Sequence, residues 1–226
     1  MDDPAAAPAR LTIRARSGSI VVRTGPGPEI EVSGAKTRVE ADGSTQIDGG
    51  SKSIEVVCPE GSDVILGTSS GRVTLKGPLG DVRITGSSGS IHVEAARSLD
   101  LRVRSGSVEI GAVAGACNVV AVSGRIEVGS AGSIDLAGVS GTIKAGAVGG
   151  GRVRTTSGRV TVGLDRAGDL DVHGVSSTVR ITVPEGVAPE LRFRTISGAV
   201  GKEVEQGHDC VISVRTVSGS IKVRRV

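Results

Sequence analysis

Short runs in which Ile, Val or Leu alternate with polar residues recur along this chain, most of them beside a Ser-Gly pair. Followed by such a run, the pair stands at Ser17-Gly18, Ser70-Gly71, Ser88-Gly89, Ser105-Gly106, Ser123-Gly124, Ser140-Gly141, Ser157-Gly158, Ser197-Gly198 and Ser218-Gly219, and Ser176-Ser177 is a degenerate copy in phase. From Ser70 to Ser176 the anchors step by 18, 17, 18, 17, 17 and 19 residues, and the last two steps are 21 each. A fixed period of this length is the mark of a repeat architecture.

Alignment on the serine predicts where each side chain points. Three residues after it every position is Ile or Val, from Ile20 and Val73 through Val200 and Ile221. Five residues after it stand mostly Val, Leu or Ile, and the residue between is polar, as in Thr74, His92, Glu109 and Lys144. That is period two, a strand with one buried face. A second strand precedes the anchor, with apolar residues four before it (Ile13, Leu66, Ile84, Leu101, Val119, Leu136, Val153, Val172, Phe193, Val214) and mostly so six before it. One such turn cannot bury its own face, whereas stacked copies bury a continuous core.

The predicted fold is therefore all-β, a parallel β-solenoid (a right-handed β-helix) of about 12 turns of 17–18 residues. Residues 11–226 are expected to form a single solenoid domain, after a disordered tail at 1–10. Residues 24–63 are expected to hold irregular turns, since the 53-residue gap between Ser17 and Ser70 is close to three turns with eroded corners. Cys58-Pro59-Glu60-Gly61 and Val183-Pro184-Glu185-Gly186 look like two equivalent loops. The glycine of the anchor implies a corner with positive φ or close backbone approach, so Ser177 should be the most altered corner. Five residues before the anchor, Asp135, Arg152, Asp171 and Arg192 alternate in sign, which suits a ladder of pairs between neighbouring turns.

Composition narrows the chemistry. The chain of 226 residues has no Trp or Tyr, one Phe (Phe193), 35 Gly and 8 Pro, so its core is aliphatic. With 27 basic and 24 acidic side chains the net charge is +3, spread along the chain. A nucleic-acid partner is disfavoured, because aromatic stacking platforms and a concentrated basic face are missing. Cys58, Cys117 and Cys210 are odd in number and have no metal or redox spacing, so they read as buried thiols. His92, His173 and His208 fall in different turns and call for no metal or acid-base site. A serine repeated in nearly every turn is a corner residue, whereas a catalytic serine comes once with a base beside it. No catalytic residue, cofactor or metal is expected. The N-terminus lacks the basic and apolar regions of a signal peptide, and no apolar run is long enough for a membrane helix, so the chain reads as cytoplasmic unless a leader was trimmed from a cell-surface protein.

One stripe offers a candidate binding surface. Arg154, Arg194 and Arg215 share the column three before the anchor, and Arg152 and Arg192 lie two residues earlier in their strands. A basic stripe of this kind suits an acidic partner.

Val-Ser-Gly-Arg-Ile-Glu-Val at 122–128, Thr-Val-Ser-Gly-Ser-Ile-Lys-Val at 216–223 and the stretch from Pro184-Glu185-Gly186 to Ile196-Ser197-Gly198 resemble the bacterial DUF4097 family of adhesin-like β-solenoids. The resemblance covers most of 11–226. It implies a solenoid with a binding or scaffolding role, no catalytic residues to carry over, and a cell-surface setting. The leading functional expectation is a non-enzymatic solenoid that presents a repetitive surface to a protein or polysaccharide. End-to-end self-association into filaments, in the manner of bactofilins, is the alternative, and a carbohydrate-active β-helix enzyme comes third.

Overall fold

The alternation of the sequence is an alternation of burial. In the computed structural model, which describes residues 8–225, the Ile/Val column three past the anchor is buried in every turn except at Val200. The column four before the anchor is buried in every turn except at Phe193, which is half-buried. Cys58, Cys117 and Cys210 are free thiols inside this core. Burial pushes the Cys117 thiol up to about 12, because a thiolate there would lose its hydration.

The described residues form strands and no helix. The order is β1 (Arg10–Ala15), β2 (Ser19–Gly25), β3 (Glu31–Ser33), β4 (Lys36–Val39), β5 (Thr45–Gly50), β6 (Ile54–Pro59), β7 (Asp63–Thr68), β8 (Arg72–Val148), β9 (Gly151–Leu164), β10 (Leu170–Val183), β11 (Glu190–Ser197), β12 (Val200–Glu203), β13 (Val211–Ser218) and β14 (Ile221–Arg225). Pairing is parallel between successive turns, as a β-solenoid requires, except at β3 and β4. The 77-residue β8 passes through several turns without a break. Its corners remain extended because their glycines sit in the mirror-image extended region, Gly106 at φ 136° for example. There is no room for a side chain either: a Cβ on Gly106 would overlap the carbonyl oxygen of Gly89 one turn away. Both reasons foreseen for the anchor glycine thus apply at once.

Threonine two residues before the anchor locks several corners. Thr68, Thr155 and Thr216 donate through Oγ1 to the carbonyls of Ser70, Ser157 and Ser218, at 3.1, 3.1 and 2.9 Å. The corner at Ser177 is rebuilt. Ser177 does not adopt positive φ, and its buried hydroxyl has no hydrogen-bond partner. It also occupies the space beside residue 174, which is glycine here, since a Cβ on Gly174 would meet Ser177 Oγ.

The chain divides into two compact units, Met1–Ala114 and Gly115–Val226. In the first, β1 pairs with β5 on one side and β7 on the other, and β2 pairs with β6 and β8. The turn at 10–25 therefore lies between the turns at 45–59 and 63–76, inside the stack. Arg10 already opens β1, and Ala9 N–H donates to Ser62 Oγ at 3.1 Å; of the tail expected at 1–10, residues 1–7 lie outside the described residues. The three steps between the anchors Ser17 and Ser70 leave room for two further turns, but only one further parallel turn forms. Residues 31–39 instead double back, so that β3 runs antiparallel to β6 and β4 antiparallel to β5.

The second unit repeats the device at its own end. β13 pairs with β10 and with β11, and β14 pairs with β10 and β12. The turn at 211–225 thus lies between those at 170–183 and 190–203. The two Pro-Glu-Gly loops are equivalent in this sense. Each carries the chain across a gap one turn wide, and a terminal segment of the chain fills the gap. Gly61 and Gly186 close these loops at φ 72° and 80°, in the left-handed region.

Candidate binding face

Stack order replaces chain order when the outward columns of the second unit are read. Register places Asp135 beside Arg152, Arg152 beside Asp171, Asp171 beside Ser213, and Ser213 beside Arg192. The expected Asp171–Arg192 step is therefore wrong, because the inserted turn puts Ser213 between them. The next column runs Ala137, Arg154, His173, Arg215, Arg194. The five arginines singled out from the sequence accordingly share one sheet face, and His173 joins them.

Three of these arginines are neutralised locally. Arg154 Nη2 reaches Asp135 at 2.9 Å. Arg152 Nε lies 3.8 Å from Asp171, whose same oxygen is 3.0 Å from His173 Nε2. Arg192 Nε donates to Glu190 at 2.8 Å, and this bond holds the Glu190 carboxyl below its ordinary range and raises Arg192. Arg194 and Arg215 are different. They are direct register partners in adjacent turns, and neither forms an ion pair among the described residues. Like charges placed directly opposite on a sheet face oppose folding, so this pair is not explained by stability.

The third column on the face, immediately before the anchor, escaped the sequence reading. It runs Val139, Thr156, Val175, Val217, Ile196 in stack order, as the register of the flanking residues requires, with Val122 next to Val139 because Gly141 stacks on Gly124. Val120 lies beside it in the arginine column. The five valines are 45–49% exposed and Ile196 is 81% exposed. Six of the nine large exposed hydrophobics of the described residues fall on this single face, which makes a patch rather than scatter. The same column of the first unit holds Arg16, Ser69, Ser87 and Arg104. The signal was available in the residue preceding each Ser-Gly, but exposed valine on a strand is indistinguishable by composition from buried valine.

The face encloses no deep cavity. A shallow depression of about 610 Å³ is lined by Arg152, Arg154, Asp171, His173 and Val175 among others, and a second of about 500 Å³ by Asp171, Arg192, Phe193, Arg194, Ser213 and Arg215. His173 has a carboxylate partner in Asp171, and among the described residues no hydroxyl or thiol is hydrogen-bonded to its ring. His92, in the first unit, faces Glu109 at 3.3 Å, and His208 is exposed. Among the described residues no cluster of His, Cys, Asp or Glu could hold a metal ion, and no helix is long and apolar enough to cross a membrane.

A crystal structure of a candidate adhesin from Bacteroides fragilis matches this fold with a TM-score of 0.54 at 12% identity, covering 98% of this chain and 94% of that one. A candidate cell adhesion protein from Clostridium sporogenes aligns over the same shares at 8% identity, with a TM-score of 0.25. No curated protein matches the sequence. The profile of the Toastrack DUF4097 family matches residues 9–224, nearly the whole repeat, and the chain belongs to that family.

Proposed function

We propose that this protein is a non-enzymatic binding module whose recognition face is the outward sheet face of the second unit, and that its partner there is acidic. The observation that carries this reading is the Arg194–Arg215 pair, adjacent in register and in no ion pair among the described residues. Two guanidiniums held side by side at roughly one strand spacing of ~4.8 Å cost the fold something, and an anion bridging them removes that cost. Arginine also matches carboxylate and phosphate groups by bidentate hydrogen bonding. Catalysis is not proposed. The shallow, open relief of the face gives no means to exclude water, and a nucleophile beside a base is not found there.

Binding of immobilised poly-L-glutamate and of an acidic polysaccharide, measured at low and at physiological salt, tests the reading. At least one polymer should bind, more weakly as salt rises. Arg194→Glu with Arg215→Glu should weaken it by about tenfold or more, while Arg104→Glu in the first unit should not. Absence of binding to both polymers at low salt would overturn the assignment, as would equal loss in the control.

A further inference from the structure

The valine ladder lies on the same face as the arginines, two residues along each strand, and so at roughly 6.6 Å from the arginine column. Both columns run across the strands through the same turns. Over six turns at ~4.8 Å spacing the ladder is about 24 Å long. A partner that satisfied only the arginines would leave Val122, Val139, Val175, Val217 and Ile196 in water. Its complement is a ligand with an apolar stripe and an acidic stripe side by side along one axis.

We infer that the second unit's outward face docks an acidic amphipathic α-helix of a partner protein. This inference rests on the acidic-partner reading above and adds the chemistry of the rest of the ligand. A helix presents apolar rows at i, i+3, i+4 and i+7 with a flanking polar row on the neighbouring face. Its pitch of 5.4 Å is close to the strand spacing, and about 16 residues span the ladder. Glutamates on the flank meet Arg194 and Arg215, and apolar residues cover Val175, Val217 and Ile196.

The alternatives fit the face less well. A bilayer surface is gripped by aromatic belts and by long apolar side chains that enter the lipid, and this chain has no Trp or Tyr. Its exposed ladder is mostly valine, too short to penetrate. A glycan would lack the aromatic platforms that stack on sugar rings, and it has little to offer a continuous aliphatic row.

A designed peptide of about 18 residues, with leucines on one face and glutamates flanking them, provides the probe, alongside a scrambled peptide of equal composition. Poly-L-glutamate and vesicles of anionic phosphatidylglycerol complete the set. Fluorescence anisotropy of the labelled peptide should show binding to the full chain, and circular dichroism should show helix gained on binding. The combined variant Val139→Thr, Val175→Thr and Val217→Thr keeps β-branched residues like the native Thr156, so it folds. It should lose the peptide by at least about tenfold and keep poly-L-glutamate, whereas Arg194→Glu with Arg215→Glu should lose both. Equal binding of the scrambled peptide, undiminished binding by the threonine variant, or capture of vesicles in place of the peptide would each overturn the helix assignment. If neither poly-L-glutamate nor the acidic polysaccharide binds at low salt, the acidic-partner reading falls with it; if either binds, only the helix assignment does.

Discussion

The Ser-Gly corner shows how a single residue type is dictated by its neighbours. At every Ser-Gly anchor but Gly198, glycine stands where the backbone is extended in the mirror-image sense. At Gly18, Gly71, Gly89, Gly106, Gly141, Gly158, Gly198 and Gly219 the next turn's carbonyl leaves no space for Cβ. Ser177 breaks the rule, and its hydroxyl fits because residue 174 is glycine, as residues 86 and 138 also are, and not the threonine found at Thr155 and Thr216. Gly174→Thr alone should therefore drive a methyl group and hydroxyl into Ser177 and cost about 1–3 kcal/mol, as overpacking does. Ser177→Gly alone should be near neutral, since it removes a buried hydroxyl without a partner but adds chain entropy of about 0.5–1 kcal/mol to the unfolded state. Together the two changes rebuild the Thr-x-Ser-Gly corner, with its threonine donating to the Ser176 carbonyl. Urea unfolding of the four proteins should give a coupling of about 1–2 kcal/mol in favour of the double variant. Additive effects would show that the two positions do not share one space.

Strand positions were legible in the sequence because alternation and burial obey the same period of two. Thus the alternation points Ile20, Leu101 and Val179 inward and the five arginines outward, and the structure has them buried and exposed accordingly. Stack order was not legible. Periodicity records which residues face the core of a turn, but it is silent on which turn lies above which. The clue was length: steps of 21 residues around Ser197 provide the extra chain that crosses a gap, and the Pro-Glu-Gly loops mark both crossings. For β3 and β4 even this clue was missing, since Val32 and Val39 alternate with polar residues whichever way the strand runs. The inserted turns have a dynamic consequence. Chain termini usually fray, yet β13 has a strand on each side while β11 has one. Native-state hydrogen exchange should find the amides of Ile212 to Val214 protected nearly to the limit of global unfolding of their unit, and those of Arg192 to Arg194 opening at lower free energy. Faster exchange at 212–214 than at 192–194 would contradict the inserted register.

At the scale of the whole molecule the question is whether the chain assembles with itself, since solenoid turns without a neighbour expose unpaired backbone. The first unit answers at the turn 45–59, over which β3 and β4 lie antiparallel, short and bearing Glu31, Lys36 and Arg38. The second unit answers with a side chain. In the turn 190–203 the inward position five past the anchor, elsewhere mostly Val, Leu or Ile, is Lys202, whose ammonium sits 5.5 Å from the centre of the Phe193 ring. A cation over an aromatic face is favourable in place, and a further turn stacked upon it would have to bury that charge. An inward charge on an outermost strand is a known defence against edge pairing. Val200, 41% exposed beside it, is the apolar surface so guarded. Light scattering across a concentration series should find the native protein monomeric. Lys202→Leu should remove the guard and produce concentration-dependent association through β11 and β12, and Lys202→Leu combined with Val200→Lys should restore the monomer. Filaments of the native protein at high concentration would show instead that Lys202 does not block the edge. The solenoid would then be an assembly unit, its arginine face repeated along a polymer.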